Sequence, residues 1–217
     1  MISTIEAIAK PITSTRACGA IAVRNVLHRL GMERSVESIY TRVARPDPFG
    51  TLAARSYRLA AYAMSCGLEA VTVQCRSERW RDALHYVKQQ NLSVIVNHQA
   101  AHAPDEGHFS VLTNIDEATV EMDDPFKGPG QRVSLERMHS LWQPNRETVG
   151  FILIAIGPRT SEANTAARCE SPSCPGCGTR LPLSPSPMFV EADWQADGRW
   201  KRFFCHGCDA GFSTRGS

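Results

Sequence analysis

The residue best placed for nucleophilic chemistry is Cys18, which stands at the predicted start of a helix over residues 17–30. A thiolate in the first turn of a helix is stabilised by unpaired backbone N–H groups and by the positive end of the helix dipole. The neighbours of Cys18 are small (Ala17, Gly19 and Ala20), so a substrate backbone could come close to the sulfur. A small, buried apolar cysteine is the alternative interpretation, and it stays open at this point.

A nucleophilic thiol needs a base and a group that orients the base, and the chain offers candidates for both. His108 opens a predicted strand, residues 109–115, after a polar loop. Asp124 follows the next predicted strand, 119–122, and precedes Pro125, which ends strand pairing. The turn between the strands is too short for a parallel crossover, so the strands are antiparallel. The start of the first strand and the end of the second can therefore converge.

Other interpretations of these residues remain open. His108 could be a solvated loop histidine, and Asp124 an ordinary turn aspartate. His98 and His102 are further, weaker candidates for the base. We expect Cys18, His108 and Asp124 to form one site.

The last fifty residues hold a separate pattern of two cysteine pairs. Cys174 and Cys177 are separated by two residues, as are Cys205 and Cys208, and 27 residues lie between the pairs. Four thiolates on two tight turns are a tetrahedral ligand set for Zn²⁺, and a full protein ligand set leaves no open position for catalysis. The pattern predicts a structural zinc site. A thioredoxin-type redox pair, the alternative, needs a βαβ context and only one such motif.

The cysteine pairs flank a predicted hairpin with strands at 188–193 and 199–204, which is the layout of a zinc ribbon. Cys169 is expected to be a spare thiol. From Pro158 onward there are seven basic and six acidic residues, so the charge disfavours nucleic acid as a partner. The basic and aromatic strand at 199–204 could be a contact face or simply a strand with one packed side, and a protein partner for the ribbon stays possible.

Composition limits the class of protein. The chain has 217 residues, 42% of them hydrophobic and 21% charged, and a formal net charge of +2, as in ordinary globular proteins. No apolar run reaches the length of a membrane span, and the N-terminus lacks the pattern of a secretory signal. We therefore expect a cytoplasmic protein without a membrane span. A reducing compartment leaves the eight cysteines for catalysis, metal binding or burial.

The elements that must position these residues are of mixed type. Apolar spacing predicts helices first and mostly antiparallel strands later, which is the α+β class. The predicted helices are 17–30, 36–43, 52–66 and 80–89, and the predicted strands of the first part are 70–74, 93–97, 109–115, 119–122 and 150–156. We expect a first domain at 1–157, a linker at 158–172 and a zinc ribbon at 173–217.

Three segments together resemble the bacteriocin-processing, double-glycine peptidases. They are Ala17-Cys18-Gly19-Ala20 at a helix start, Gly107-His108-Phe109-Ser110-Val111-Leu112 at a strand start, and Asp123-Asp124-Pro125 at the end of the next strand. Further similar segments are 50–52, 66–70, 93–97 and 133–135, with Trp142. The resemblance spans about residues 12–156.

This resemblance implies a papain-like cysteine peptidase fold, with N-terminal helices packed on an antiparallel sheet. It implies that Cys18 attacks a peptide carbonyl, that His108 acts as base and then acid, and that Asp124 orients the imidazole. Such peptidases cut after a Gly-Gly pair. The implied substrate is a leader peptide or an exposed protein loop that carries this motif, with the ribbon recruiting the substrate or a partner.

One position departs from the family pattern. Ile12 stands six residues before Cys18, where the family usually has a glutamine that helps to bind the oxyanion. Loss of one such donor costs about 100-fold to 1000-fold in turnover, unless Thr13, Ser14 or the backbone N–H of Cys18 supplies the hydrogen bond. The alternatives are therefore a weak or inactive peptide-binding adaptor, or a nucleic-acid-directed protein that uses the ribbon.

Overall fold

The structure is a computed structural model that describes residues 15–46, 50, 52–101, 103–159, 173–181 and 198–213. Several of the predicted features lie outside these residues: Ile12, His102, Cys169, most of the linker and the strand at 188–193. None of the described helices combines the length and the apolar character that crossing a bilayer requires.

Three helices form a layer on one side of the described part of the protein. They are α1 (Cys18–Arg29), α2 (Val36–Val43) and α3 (Ser56–Ser65). α1 ends where Gly31 adopts a left-handed φ of 75° and the N–H of Met32 donates to the carbonyl of Leu27 over 2.9 Å. α2 begins where the hydroxyl of Ser35 accepts the N–H of Ser38 over 3.2 Å.

The strands build a two-stranded ribbon and one large sheet. The ribbon pairs β1 (Ala44–Pro46) with β2 (Leu52–Ala54). The sheet strands are β3 (Leu68–Cys75), β4 (Ser93–Ala100), β5 (Ala103–Ile115), β6 (Thr119–Asp124), β7 (Gly128–Ser134), β8 (Ile152–Pro158), β9 (Trp200–Phe204) and β10 (Gly211–Ser213). Among the described residues their order is β10-β9-β3-β8-β4-β5-β6-β7, with all neighbours antiparallel.

The two faces of the sheet carry separate cores. Side chains alternate between the faces, so Ile95 and Ile154 lie under α1, α2 and α3, whereas Val96 and Leu153 lie on the opposite face. That opposite face is covered by two more helices, α4 (Trp80–Gln89) and α5 (Leu135–Leu141). The sheet is therefore buried on both sides, and the helix that carries Cys18 belongs to one layer only.

The C-terminal strands belong to the same sheet. β9 pairs with β3, with Thr72 opposite Phe204 and Val73 opposite Phe203. Trp200 is fully buried in the core beneath α4 and stands edge-on to a tyrosine of that helix. Trp200 and Phe203, two of the aromatic residues of the basic strand, thus pack in the core.

The predictions of class and of most elements are confirmed, but two elements begin at other residues than predicted. β5 begins at Ala103, so His108 lies within the strand and does not open it. α2 and α4 have the predicted bounds. The helix predicted over 52–66 is wrong at its start, because residues 52–54 pair with β1 and the helix begins at Ser56. β7 and α5 were not predicted.

Candidate active site and metal centre

Cys18 is the first residue of α1 and its side chain is buried, with 4% of the residue exposed. A short 3-10 turn, Thr15–Ala17, leads into the helix. α1 lies close to β5 because residue 19 has no side chain: a Cβ on Gly19 would stand 3.2 Å from the ring of Phe109. Gly19 therefore serves the packing of the helix on the strand that carries His108.

His108 lies in β5, and its ring connects the other two predicted residues. Nε2 lies 3.1 Å from Oδ2 of Asp124, and because a carboxylate can only accept, Nε2 carries the proton and donates it. The thiol of Cys18 acts on the same ring, since it is among the groups that raise the pKa of His108, and Nδ1 is the nitrogen that Asp124 leaves free. Burial lowers the pKa of His108, but the hydrogen bonds and charges of Asp124 and Cys18 outweigh burial and raise it to about 9. The ring is therefore an imidazolium at neutral pH.

Asp124 is the last residue of β6, and both of its carboxylate oxygens are used. Oδ2 accepts from His108, while Oδ1 accepts the N–H groups of Phe126 and Lys127 over 2.9 and 3.0 Å. Burial favours the neutral carboxyl, but the hydrogen bond from His108 and those two N–H groups hold the pKa of Asp124 well below its usual range. The structure thus brings together Cys18, His108 and Asp124.

His98 faces His108 across β4 and β5, with ring centroids 5.2 Å apart, but its own nitrogens are both occupied. Nδ1 donates to the carbonyl of Gln99 over 2.8 Å, so Nε2 accepts the hydroxyl of Ser110 over 3.0 Å. Burial and the nearby charge of His108 lower the pKa of His98 to about 4. His98 is neutral and packs against the His108 ring, which argues against its use as the base.

A groove of about 700 Å³ opens beside Cys18. Its lining comes from the start of α1, the ribbon strand β2, the sheet, the loop before β8 and the C-terminal residues. The residues are Arg16, Cys18, Ala53, Ala54, Arg55, Ser56, Thr72, Asn97, Asp105, Glu106, Gly107, Phe109, Arg146, Glu147, Thr148, Val149, Ile152, Phe204 and Asp209. The candidate nucleophile therefore faces a cavity large enough for several residues of a peptide.

Glu147 connects the segments of two site residues and was missed by the sequence analysis. Its Oε1 lies 3.2 Å from Nη1 of Arg16, two residues before Cys18. Its Oε2 accepts the N–H of Gly107, which precedes His108, over 2.8 Å. The sequence around residue 147 is an ordinary polar loop and does not indicate that Glu147 joins these segments, because both of its partners are distant in the chain.

The four predicted metal ligands also lie together. The sulfurs of Cys174, Cys177, Cys205 and Cys208 are all within 4.8 Å of one another. Zn–S bonds of about 2.3 Å in a tetrahedron place sulfurs about 3.8 Å apart. The sulfur pairs Cys174–Cys208 and Cys177–Cys205 are 3.6 and 3.7 Å apart, so the spacing suits one ion.

Both cysteine turns have the same backbone hydrogen bonds. In each, the first cysteine (Cys174 or Cys205) donates its N–H to the carbonyl five residues later, over 2.8 and 2.9 Å. The N–H of Gly207 also points at the sulfur of Cys205, 3.3 Å away, as expected of a turn that stabilises a thiolate. A Cβ on Gly207 would stand 2.5 Å from Oγ1 of Thr179, so the two turns pack closely.

The donor set fits a soft or borderline metal ion, because thiolates are the ligands that such ions prefer. Four protein ligands complete a tetrahedron, so the cluster can hold a metal but leaves no position for a substrate. Cys66 packs against the core under α1, α2 and α3, and Cys75 lies in the core on the opposite face of the sheet. Neither belongs to the four-cysteine cluster. Burial raises the pKa of the Cys75 thiol, which makes it unreactive.

Comparison with known proteins identifies the family. The family profile of the peptidase C39 family matches residues 11–148, more than half of the chain. The chain belongs to the peptidase C39 family. The C39 match includes Cys18, His108 and Asp124, whereas the four clustered cysteines lie outside it.

Solved structures of C39 peptidases have a similar fold. The peptidase domain of Streptococcus ComA, a bi-functional ABC transporter involved in a quorum sensing pathway, has a TM-score of 0.51 at 16% identity, covering 67% of this chain and 94% of that chain. A putative C39-like peptidase from Bacillus anthracis has a TM-score of 0.54 at 15% identity, covering 68% of this chain and 91% of that chain. No curated protein matches the chain. The expected peptidase fold is confirmed.

Proposed function

We propose that this C39 family member is a cysteine peptidase that cuts the peptide bond after a Gly-Gly pair. Cys18 is the nucleophile, His108 the acid–base group and Asp124 the orienting group. The observation that carries the proposal is the hydrogen bond between His108 and Asp124, with Cys18 acting on the same imidazole and lining the groove. The family match supports it, since it spans all three residues.

The reaction follows from the roles of the three groups. The Cys18 thiolate attacks the carbonyl carbon, and the His108 imidazolium gives its Nδ1 proton to the leaving amine as the C–N bond breaks. The resulting thioester is hydrolysed when neutral His108 takes a proton from water, whose oxygen attacks the carbonyl. The C–S bond then breaks, which releases the carboxylic acid product and leaves the Cys18 thiolate beside the His108 imidazolium. Asp124 keeps Nε2 protonated throughout, so Nδ1 faces the reaction.

The oxyanion needs at least one hydrogen-bond donor. Ile12 has none in its side chain, so we assign the backbone N–H of Cys18, at the free end of α1, as a donor. A Thr13 or Ser14 hydroxyl would supply a second.

The preference for glycine is consistent with the depth of the sulfur. Cys18 is only 4% exposed, so the carbonyl under attack must enter a narrow space beside α1. Residues without side chains enter such a space at the lowest steric cost. The substrate would be a leader peptide or an exposed loop that carries Gly-Gly, as the family resemblance implies.

We further propose that Cys174, Cys177, Cys205 and Cys208 bind one structural Zn²⁺. The four sulfurs and the sulfur-directed N–H of Gly207 fit this ion. Zinc bound by four thiolates supplies folding energy rather than chemistry, so it holds the two turns against the sheet.

The decisive experiment compares the protein with its Cys18→Ala and Cys66→Ala variants on a library of Gly-Gly peptides, read by mass spectrometry. We expect cuts directly after Gly-Gly with the unmodified protein and with Cys66→Ala, and none with Cys18→Ala. Cys66 is a matched control because it is a partly exposed thiol packed against the same core.

Cuts that survive in Cys18→Ala would refute the assignment of the nucleophile. If no variant cuts but the peptides still bind, the protein is a peptide-binding adaptor.

A further inference from the structure

The floor of the groove is a line of side chains that crosses five neighbouring strands. Residues directly opposite each other on antiparallel strands share a face of the sheet. Phe204 on β9 is opposite Thr72 on β3, while Ile152 on β8 is opposite Asn97 on β4, which is opposite Phe109 on β5. All five line the groove. The floor therefore runs from beside Cys18, near Phe109, to the C-terminal strand.

Two polar side chains on this floor are buried and each has an oxygen without a partner in the described part of the chain. Thr72 is 2% exposed and Asn97 is 9% exposed. Among the described residues, neither Oγ1 of Thr72 nor Oδ1 of Asn97 has a hydrogen-bond partner. Buried polar atoms are rarely left unpaired, because the lost hydrogen bond with water is costly. Since both residues line the groove, a bound peptide backbone can supply the missing partners.

The far end of the groove is made by residues next to the metal ligands. Phe204 directly precedes Cys205, and Asp209 directly follows Cys208. The N–H of Asp209 donates to the carbonyl of Cys205 over 3.0 Å, so the cysteine turn fixes its position. Its Oδ2 lies 3.3 Å from Nη1 of Arg55, which precedes α3. This ion pair joins the metal centre to the helical layer at the end of the groove.

We propose that the metal centre forms the end wall of the substrate groove and thereby controls peptide binding. The proposal rests on the proposed peptidase function. An extended peptide crosses the floor from Cys18, pairs its backbone with Asn97 and Thr72, and places an apolar side chain on Phe204. Three direct strand spacings of about 4.8 Å and one diagonal step of about 8 Å, since Thr72 and Ile152 are offset by two residues, make a path of about 23 Å, which is about seven extended residues.

The test measures binding in the Cys18→Ala background, where cleavage cannot interfere. The probe is a fluorescein-labelled peptide with a central Gly-Gly and about seven residues on each side, including leucines, and the readout is the Kd from fluorescence anisotropy. Phe204→Ala should weaken binding by about 10-fold or more, since it removes an aromatic contact with an apolar side chain. Phe212→Ala should stay within about 2-fold, because that phenylalanine packs on the cysteine cluster and does not line the groove.

A second pair of variants tests the floor without touching the metal centre. Thr72→Val removes the hydroxyl at nearly constant volume and should weaken binding about 5-fold, whereas Thr72→Ser keeps the hydroxyl and should bind within about 2-fold of the parent. For peptides shortened from the end that reaches Phe204, the Kd of the Phe204→Ala protein should equal that of the parent. Removal of the metal by a chelator should weaken binding at least as much as Phe204→Ala.

The outcomes separate this inference from the peptidase assignment. Equal affinities of the parent, Phe204→Ala and Thr72→Val proteins, with metal content unchanged, would overturn the end-wall proposal even if the protein cuts Gly-Gly peptides. Weakened binding in these variants, together with no cleavage by the protein that retains Cys18, would support the groove and refute the peptidase.

Discussion

Replacement of Asp124 by asparagine should lower the pKa of His108. Asparagine keeps an oxygen that can accept the N–H groups of Phe126 and Lys127, so the turn after β6 is retained. It removes the negative charge that faces Nε2 of His108. With its oxygen used in the turn, the asparagine presents its NH2 group to Nε2, so the change removes the hydrogen-bond acceptor of His108 as well as the charge.

The size of the effect follows from the surroundings of His108. Its pKa is raised from 6.5 to about 9, against the opposing effect of burial, by Asp124 and Cys18 together. One nearby opposite charge shifts a pKa by about 1 to 3 units, so we expect the pKa of His108 to fall by that amount in Asp124→Asn. His98, in contact with the ring, has a pKa of about 4 and stays neutral across this range.

The same shift predicts how stability depends on pH. A histidine whose pKa is higher in the folded state stabilises the fold below pH 6.5, and this contribution is lost as the pH rises through about 9. The shift from 6.5 to about 9 corresponds to about 3 kcal/mol of unfolding free energy. In Asp124→Asn the loss of stability over this window should be smaller by about 1 to 3 kcal/mol.

Two measurements check this prediction. NMR titration of the histidine ring signals gives the pKa, with a His108→Ala protein to assign the signal. Urea denaturation from pH 6 to 10 gives the unfolding free energy, and the difference between the two proteins removes the titration of cysteines common to both. A His108 pKa that is unchanged in Asp124→Asn would refute the reasoning, since Asp124 would then contribute nothing to the charge on the ring.

Three further changes have expected outcomes. Gly19→Val should lower the unfolding free energy, measured with urea, by about 1 to 3 kcal/mol, since even a Cβ there would stand 3.2 Å from the ring of Phe109; an unchanged value would mean that α1 is free to move away from β5. Trp200→Ala should cost about 3 to 5 kcal/mol in the same assay because Trp200 is 0% exposed, and a loss below about 1 kcal/mol would argue against the packing of β9 on the core. Cys205→Ser should abolish the binding of about one zinc ion per chain, measured with a zinc-sensitive dye, and lower the melting temperature, whereas Cys66→Ser should keep the metal.

Several features could be predicted because they depend on neighbouring residues. The two-residue spacing of Cys174–Cys177 and Cys205–Cys208 by itself places two sulfurs on one side of an ion. The helical spacing before Gly31 predicts α1 and places Cys18 at its start. Local sequence was enough here because a turn or a helix is built from contacts within a few residues.

His108 and Asp124 were predictable for a related reason. They lie on strands joined by a short turn, and antiparallel pairing of such strands follows from the length of the turn. The three segments in this order also carry the family resemblance. The sequence thus indicated that Cys18, His108 and Asp124 lie together before any long-range contact was known.

The tertiary structure decided what depends on distant pairing. The sequence of β9 has the pattern of a strand, but no local signal says that it pairs with β3, about 130 residues earlier. The same holds for Glu147, whose hydrogen bonds reach Arg16 and Gly107, and for Asn97, whose Oδ1 has no partner among the described residues of the groove. Residue types and their spacing along the chain determined which chemistry is available. The pairing of distant strands determined which groups face the groove, because contacts between distant segments form only when the whole core packs.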